Sequence, residues 1–535
     1  YTTLFRSYLI PQSEESIWSV STGWDKNRKV YMEFGIDYNR TFGLHKTTAL
    51  ILYNQSKYYS PSLQYYVPNA YQGLVGRLTY EYASRYLAEF NMGYNGTENF
   101  AKGKRFGFFP AVSLGWVISE EKFFPKNNIV KYLKVRGSYG EVGNDQIGGD
   151  RFLYLPSSYG AASDSGVNKY NFGLASNPYT SLMIVENKIG NPDLTWEKAK
   201  KMNVGVDINL FNNCLTASFD IFKEKRNNIL ANRSTSPMII GANLPAYNFG
   251  EMENRGWEMD LNFRHHIQDF HYWARFNYSF ARNEIIYMDE VQKRYDYQMT
   301  TGRRKNQFFG LIFDGYYNSW EEINALDRPK SSWSGNQLQP GDVKYVDVNQ
   351  DGVIDDYDMV PIGYTPVPEI IYGFSFGAQY KGFDFSILFQ GADNVSIKYF
   401  GRSMWPFAKG EESAKSLIKE RWTQERYEAG EKITFPRLSL NPNGETDHNY
   451  RPSTLWIRDA SYLRLKNLEV GYTFTGGFVK RLNLNSVRLY FNGSNLFTWT
   501  DVVDLDPEAP SRSGNVEINT YPLQKVYNIG LNINF

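Results

Sequence analysis

Between Asp347 and Asp358 the chain reads DVNQDGVIDDYD. Counted as a twelve-residue loop, this puts Asp347, Asn349 and Asp351 at positions 1, 3 and 5 and Gly352 at the tight turn. The Val353 carbonyl then falls at 7, Asp355 at 9 and Asp358 at 12. Oxygens at that spacing suit a hard cation, and Ca2+ takes about six to eight of them. The role expected for such an ion is architectural, to scaffold a loop. Two features weigh against it: position 12 is Asp where a bidentate Glu is usual, and no helical pattern flanks the segment. A loop rich in Asx turns and folding without metal uses the same residue types.

Aromatic side chains form the second group of candidates. Tyr316, Tyr317, Trp320 and Trp333 fall in expected loops, as do Tyr58, Tyr59, Tyr65 and Tyr66. Such rings stack on sugars or grip peptide side chains; packing within loops or at a membrane interface uses them equally well. The segment Phe308–Trp320 (FFGLIFDGYYNSW) is the densest of these. Enzymatic patterns are absent from the sequence: there is no GxSxG, HExxH or P-loop. His265, His266 and His271 sit at an expected tight turn, and the pairs Glu321-Glu322 and Glu411-Glu412 look like solvated surface. The single cysteine, Cys214, excludes an intrachain disulfide, and 58 basic against 57 acidic residues give no nucleic-acid signal.

The elements that must position these residues are strands. Met202, Val204, Val206, Ile208 and Leu210 alternate with Asn203, Gly205, Asp207 and Asn209. The same period of two recurs from Val30 to Asn39, Leu78 to Tyr94, Leu215 to Ile221, Trp257 to Phe280 and Tyr372 to Phe389. Two-residue turns join many of these pairs, whereas the alternate connections are long: about 143–195, 227–253, 287–368, 393–458 and 499–523. Weak strand candidates precede them near 1–10 and 17–24, and a short helix is expected over Ser413–Glu428. Mean hydropathy is −0.51, and no run of about 18 apolar residues exists to form a membrane helix. A β-barrel hides its hydrophobicity in alternation, and 17% aromatic residues suit two interfacial girdles. The final stretch repeats the pattern: Tyr527, Ile529, Leu531, Ile533 and Phe535 alternate with small or polar residues and read as an assembly signal on the last barrel strand. The fold class is therefore all-β, a large antiparallel transmembrane barrel with long extracellular loops. Val206 and Ile208 should face lipid, and Asp207 the lumen, where an added charge should be tolerated.

Seven phrases resemble the SusC-like family of TonB-dependent outer-membrane transporters, in that family's order. They are Gly137–Asp145 (GSYGEVGND), Asn191–Lys198 (NPDLTWEK), Asn254–Glu258 (NRGWE), Gly341–Asp358, RWT at 421–423 with FPRLS at 435–439, Asp459–Phe474 (DASYLRLKNLEVGYTF), and Val487–Phe497 (VRLYFNGSNLF) followed by DLDPE at 504–508. The resemblance implies a 22-stranded barrel, of which 1–535 is the C-terminal portion, with the plug, TonB box and first strands upstream of Tyr1. It also implies active import of an oligomeric nutrient, a glycan or a peptide, without chemistry on the cargo. The implied partners are a SusD-like surface lipoprotein, the TonB–ExbB–ExbD energising complex, outer-membrane lipid, and a dimer of transporter–lipoprotein pairs. A passive porin-like channel and a secreted calcium-dependent β-rich glycan-binding protein are the alternatives that the residues alone leave open.

Overall fold

The computed structural model describes residues 26–61, 63, 67–148, 151–156, 160–161, 169–174, 179–182, 184–185, 189–235, 244–333, 338–401, 404–407, 416–439, 447–503, 505–508, 515–516 and 523–535. The strand candidates near 1–10 and 17–24 lie outside them, as do Tyr65, Tyr66 and Glu411-Glu412. Fifteen strands form one antiparallel sheet in chain order. They are β1 (Arg28–Phe42), β2 (His45–Tyr59), β3 (Asn69–Tyr82), β4 (Tyr86–Thr97), β5 (Phe106–Val117), β6 (Val130–Asn144), β7 (Glu197–Leu210) and β8 (Leu215–Ala231). The series continues with β9 (Tyr247–Ile267), β10 (Phe270–Tyr287), β11 (Ile370–Tyr380), β12 (Phe383–Asp393), β13 (Tyr462–Phe474), β14 (Ser486–Thr500) and β15 (Val526–Asn534). Every neighbour in the sheet is a neighbour in sequence, an up-and-down meander.

Register shows why the alternation matters. Val206 lies opposite Val135 and Phe219, and Phe219 opposite Met259, which pairs with Tyr278. One face thus carries a continuous apolar row from β6 to β10. At the short-turn end of the same face, aromatic residues line up across strands: Tyr82, Tyr86 and Trp116 on β3 to β5, and Phe270, Tyr380, Phe383 and Tyr472 on β10 to β13. That is an interfacial girdle. At the other end the apolar face turns to charge, with Lys223 on Glu253 at 2.8 Å and Lys225 on Glu251 at 2.9 Å. Below that boundary, many of the apolar side chains of this face are exposed to the surroundings, Met202, Val204, Phe219 and Ile221 among them. Exposure of so many apolar side chains on one sheet face is stable only against lipid.

Gly256 explains one of the seven phrases. A Cβ there would stand 1.9 Å from the Phe280 carbonyl oxygen and 2.7 Å from the Phe222 ring, so β8, β9 and β10 can close up only around glycine.

Three of the connections expected as loops build one packed body. Residues of 311–359, 395–460 and 502 share a core that includes Leu311, Val343, Tyr345, Ile397, Trp405, Tyr450 and Trp456. The 143–195 connection contains two short ladders, Lys169–Phe172 on Tyr179–Leu182 and Gly160–Ala161 on Ile184–Val185. The single helix expected over Ser413–Glu428 is corrected to two turns: a 3-10 segment at Ser416–Glu420 and a helix at Gln424–Glu428, capped by the Thr423 side chain. The buried Trp422 between them anchors the break in the core.

Candidate functional site: inner wall and mouth

The inner face of the sheet is polar and cross-linked by ion pairs. Arg136 on β6 reaches Asp220 on β8 at 2.6 Å and Asp207 on β7 at 3.1 Å. Farther up the wall Arg226 meets Glu197 and Glu224, each at 2.8 Å, and Lys201 meets Glu224 at 3.3 Å. A hollow of about 450 Å³ lies at the lower wall between Lys46, Glu81, Glu89, Lys134 and Arg136. Another, of about 520 Å³, lies near the mouth between Asn144, Glu224, Arg226, Asn254, Asn283 and Lys305. Both offer amides and charges of either sign, suited to hydrogen-bonding a polar cargo. The pairing corrects one expectation. Asp207 does face inward, but an Arg in its place would meet Arg136, so the position does not accept a positive charge freely.

The loop body above the wall is held by buried polar hubs. Asp342 accepts from Arg437 at 2.6 Å, from the Asn449 side chain at 2.7 Å and from the Gln339 N–H at 2.7 Å. Asn449 in turn accepts from the Val343 N–H at 2.9 Å, while the His448 ring bonds the Val343 carbonyl at 2.8 Å and the Ser331 hydroxyl at 3.1 Å. Burial holds the His448 imidazole neutral by pushing its pKa down, and pushes the neighbouring Asp447 carboxyl up. At the rim Glu369 binds Arg282 at 2.8 Å, Arg304, and the Asn394 amide at 3.2 Å. Arg464, only 2% exposed, is the third hub. It donates to Asp506 at 2.7 Å, Glu508 at 2.6 Å and Thr498 at 3.0 Å, while the Tyr462 hydroxyl donates to Glu508 at 2.6 Å. These contacts pin the loop after β14 to the inner face of β13. They also join two of the phrases, DASYLRLKNLEVGYTF and DLDPE, in one network. Sequence reading did not single out Asp342, Glu369 or Arg464; an arginine inside an otherwise alternating strand was the available signal.

The loop at 347–358 is wound as its spacing suggests, with Gly352 at φ +81°. Its carboxylates are hydrogen-bonded within the loop. Asp358, fully buried, accepts from the N–H groups of Val348 at 2.8 Å and Asp355 at 2.9 Å. Asp347 Oδ2 accepts from Gly352 at 2.8 Å, Asp351 from Val353 at 3.0 Å, and Asp355 from Tyr357 at 2.7 Å. Asp347 Oδ1 is buried without a hydrogen-bond partner. Among the described residues no three His, Cys or acidic side chains converge as a metal cage. As wound here, the loop therefore presents one buried oxygen without a partner and no preformed cage.

The four candidate aromatic residues part company. Tyr316 and Tyr317 are buried, Tyr316 in the main loop core and Tyr317 beside Ile323 and Leu338. The other two are more accessible. Trp320 is 52% exposed at the start of the short helix Trp320–Asn324, and Trp333 is half-buried under the Arg451 guanidinium, 4.0 Å from its ring centre. Tyr58 and Tyr59 belong to β2 and not to a loop. On β15, Tyr527, Ile529, Leu531 and Ile533 point outward with Phe535 beyond them, all exposed, while Asn528 and Asn534 bond Asn492 and Ser486 on β14 at 2.9 and 2.8 Å.

Residues 2–496 match the family described as TonB dependent receptor-like, beta-barrel. TonB-dependent receptor P3 of Formosa agariphila is 28% identical over 479 residues, 86% of this chain and 45% of that protein. TonB-dependent receptor SusC of Bacteroides thetaiotaomicron is 28% identical over 477 residues, 88% of this chain and 44% of its own length. The chain thus spans about half the length of the curated relatives it matches. The structure described as the RagAB peptide transporter superposes with a TM-score of 0.72 at 22% identity, over 95% of this chain and 56% of that one. The last comparison bears on the fold alone.

Proposed function

Because this chain belongs to the TonB-dependent receptor-like β-barrel family of the Gram-negative outer membrane, we propose that it forms wall and mouth of an active importer for an oligomeric nutrient. The observation that carries this reading is the two-faced sheet, apolar outside and ion-paired inside, capped by loops that have their own core. Such a body does not make or break bonds. It surrounds a polar path, and energy enters from the periplasm through TonB. The cargo class is peptide or glycan: the structure described as the RagAB peptide transporter is a precedent by likeness for the first, and the resemblance to SusC-like transporters leaves the second beside it. A SusD-like lipoprotein is the partner assigned to the loop body, whose hubs would hold a firm docking surface.

Calcium is assigned to Asp347, Asn349, Asp351, Val353, Asp355 and Asp358 as a structural ion. The spare Asp347 oxygen supports it, and the hydrogen-bonded loop would exchange several N–H contacts for the cation. Trp320 and Trp333 are the proposed cargo or lid contacts. The test is uptake of labelled peptide and glycan pools by cells carrying the full-length receptor, with and without TonB. TonB-dependent accumulation of one pool is expected; accumulation that ignores TonB would favour a passive pore.

A further inference from the structure

We propose that the β9–β10 hairpin carries a second, chemically different metal site: a two-imidazole clamp of His266 and His271 for a borderline divalent cation of the Zn2+ class. Three of the five histidines in the chain fall within residues 265–271. His266 and His271 stand directly opposite each other across the hairpin, one residue from its tip, with ring centres 5.4 Å apart. Two imidazoles on one tetrahedral ion, each nitrogen about 2.0–2.1 Å from it, hold their ring centres about 5 Å apart. The spacing is thus already close to what one ion requires, and both side chains are exposed; closing on the ion would turn the rings out of their present stacking, which for His266 includes His265. Imidazole selects Zn2+, Cu2+ or Ni2+ over the oxygen-seeking Ca2+.

Alternation separates the clamp from the third histidine. His265 points to the outer face, where the Tyr272 hydroxyl meets its Nδ1 at 3.3 Å. The clamp faces inward at the short-turn rim, the periplasmic end in a barrel of this kind. Gln379 lies across from His271, and Asp269 sits in the turn as the nearest acid in sequence. Arg264 and Arg275 share the inner face, and Arg275 is drawn onto the Trp273 ring at 5.5 Å. Since no third His, Cys or acidic ligand converges among the described residues, water would complete the coordination sphere. An ion so held would staple the ends of β9 and β10.

Titration calorimetry with Zn2+ on the full-length receptor in detergent, free of any polyhistidine tag, tests the site. One equivalent should bind to the parent and to His265→Ala. Binding should be lost in both His266→Ala and His271→Ala, whose folding is checked by heat-modifiable mobility on gels. Absence of Zn2+ binding in the parent, or equal binding in all three variants, would overturn the clamp.

Discussion

At the scale of single residues, the burial of charge is what most organises this molecule. Arg464 is inaccessible and shared between Asp506 and Glu508. Removing it leaves Asp506 without its cation and Glu508 with Lys466 alone, and breaking a buried pair typically costs about 3–5 kcal/mol. Arg464→Ala should therefore lower the denaturant midpoint and speed hydrogen exchange at Leu505–Glu508; unchanged exchange there would refute the pinning role. His448 gives a pH dependence. Its ring faces Ser331, the Val343 carbonyl, Asp342, Asp447 and Arg451, and burial keeps it neutral. A folded-state pKa below the ordinary 6.5 means that the unfolded chain binds the extra proton first. The loop body should then lose stability as pH falls below about 6.5, with His448→Gln flattening that slope. Asp447, raised by burial, works in the opposite sense but nearer the carboxylate range. Proteolysis of the loop body between pH 7 and 5 reads the difference, and equal slopes in parent and variant would remove His448 as the cause.

At the scale of elements, the strands were legible because alternation is local. Val204, Val206 and Ile208 announce one face of β7 within a few residues, and register shows the same face running from β6 to β10. The loop body was not legible. Its contacts join Val343 to Asn449 and Tyr345 to His448, about a hundred residues apart, and no period marks them. Asp207 shows the same limit on a smaller scale: its facing could be read, its Arg136 partner could not. Val204→Arg, farther into the strand, should cost roughly 2–4 kcal/mol against lipid, whereas Asn209→Lys, on the polar face, should leave the midpoint nearly unchanged. Equal losses would mean that the faces are wrongly assigned. For β15, Phe535→Asp should reduce folded, heat-modifiable protein in the outer membrane far more than it reduces synthesis. For the 347–358 loop, a chelator should increase cleavage between Lys344 and Pro361, and Asp347→Ala combined with Asp351→Ala should abolish the chelator's effect; cleavage indifferent to chelator would leave it an ordinary turn-rich loop.

At the scale of the whole molecule, three layers work together: an outer apolar band, an inner wall of paired charges, and a mouth body tied to the rim by Glu369 and Arg464. Transport as proposed requires all three, yet the first underlies the others, since without lipid outside there is no lumen inside. The most direct measurement is lipid contact by site. Single nitroxide labels at Val204, Phe219 and Met259, and at Asn203, Ser218 and Asp260, can be placed in the full-length receptor reconstituted in bilayers and exposed to oxygen, which concentrates in the hydrocarbon. The first three should show high oxygen accessibility and the second three low, alternating residue by residue along β7, β8 and β9. Accessibility that is uniform along these strands, or reversed between the two sets, would contradict the barrel wall.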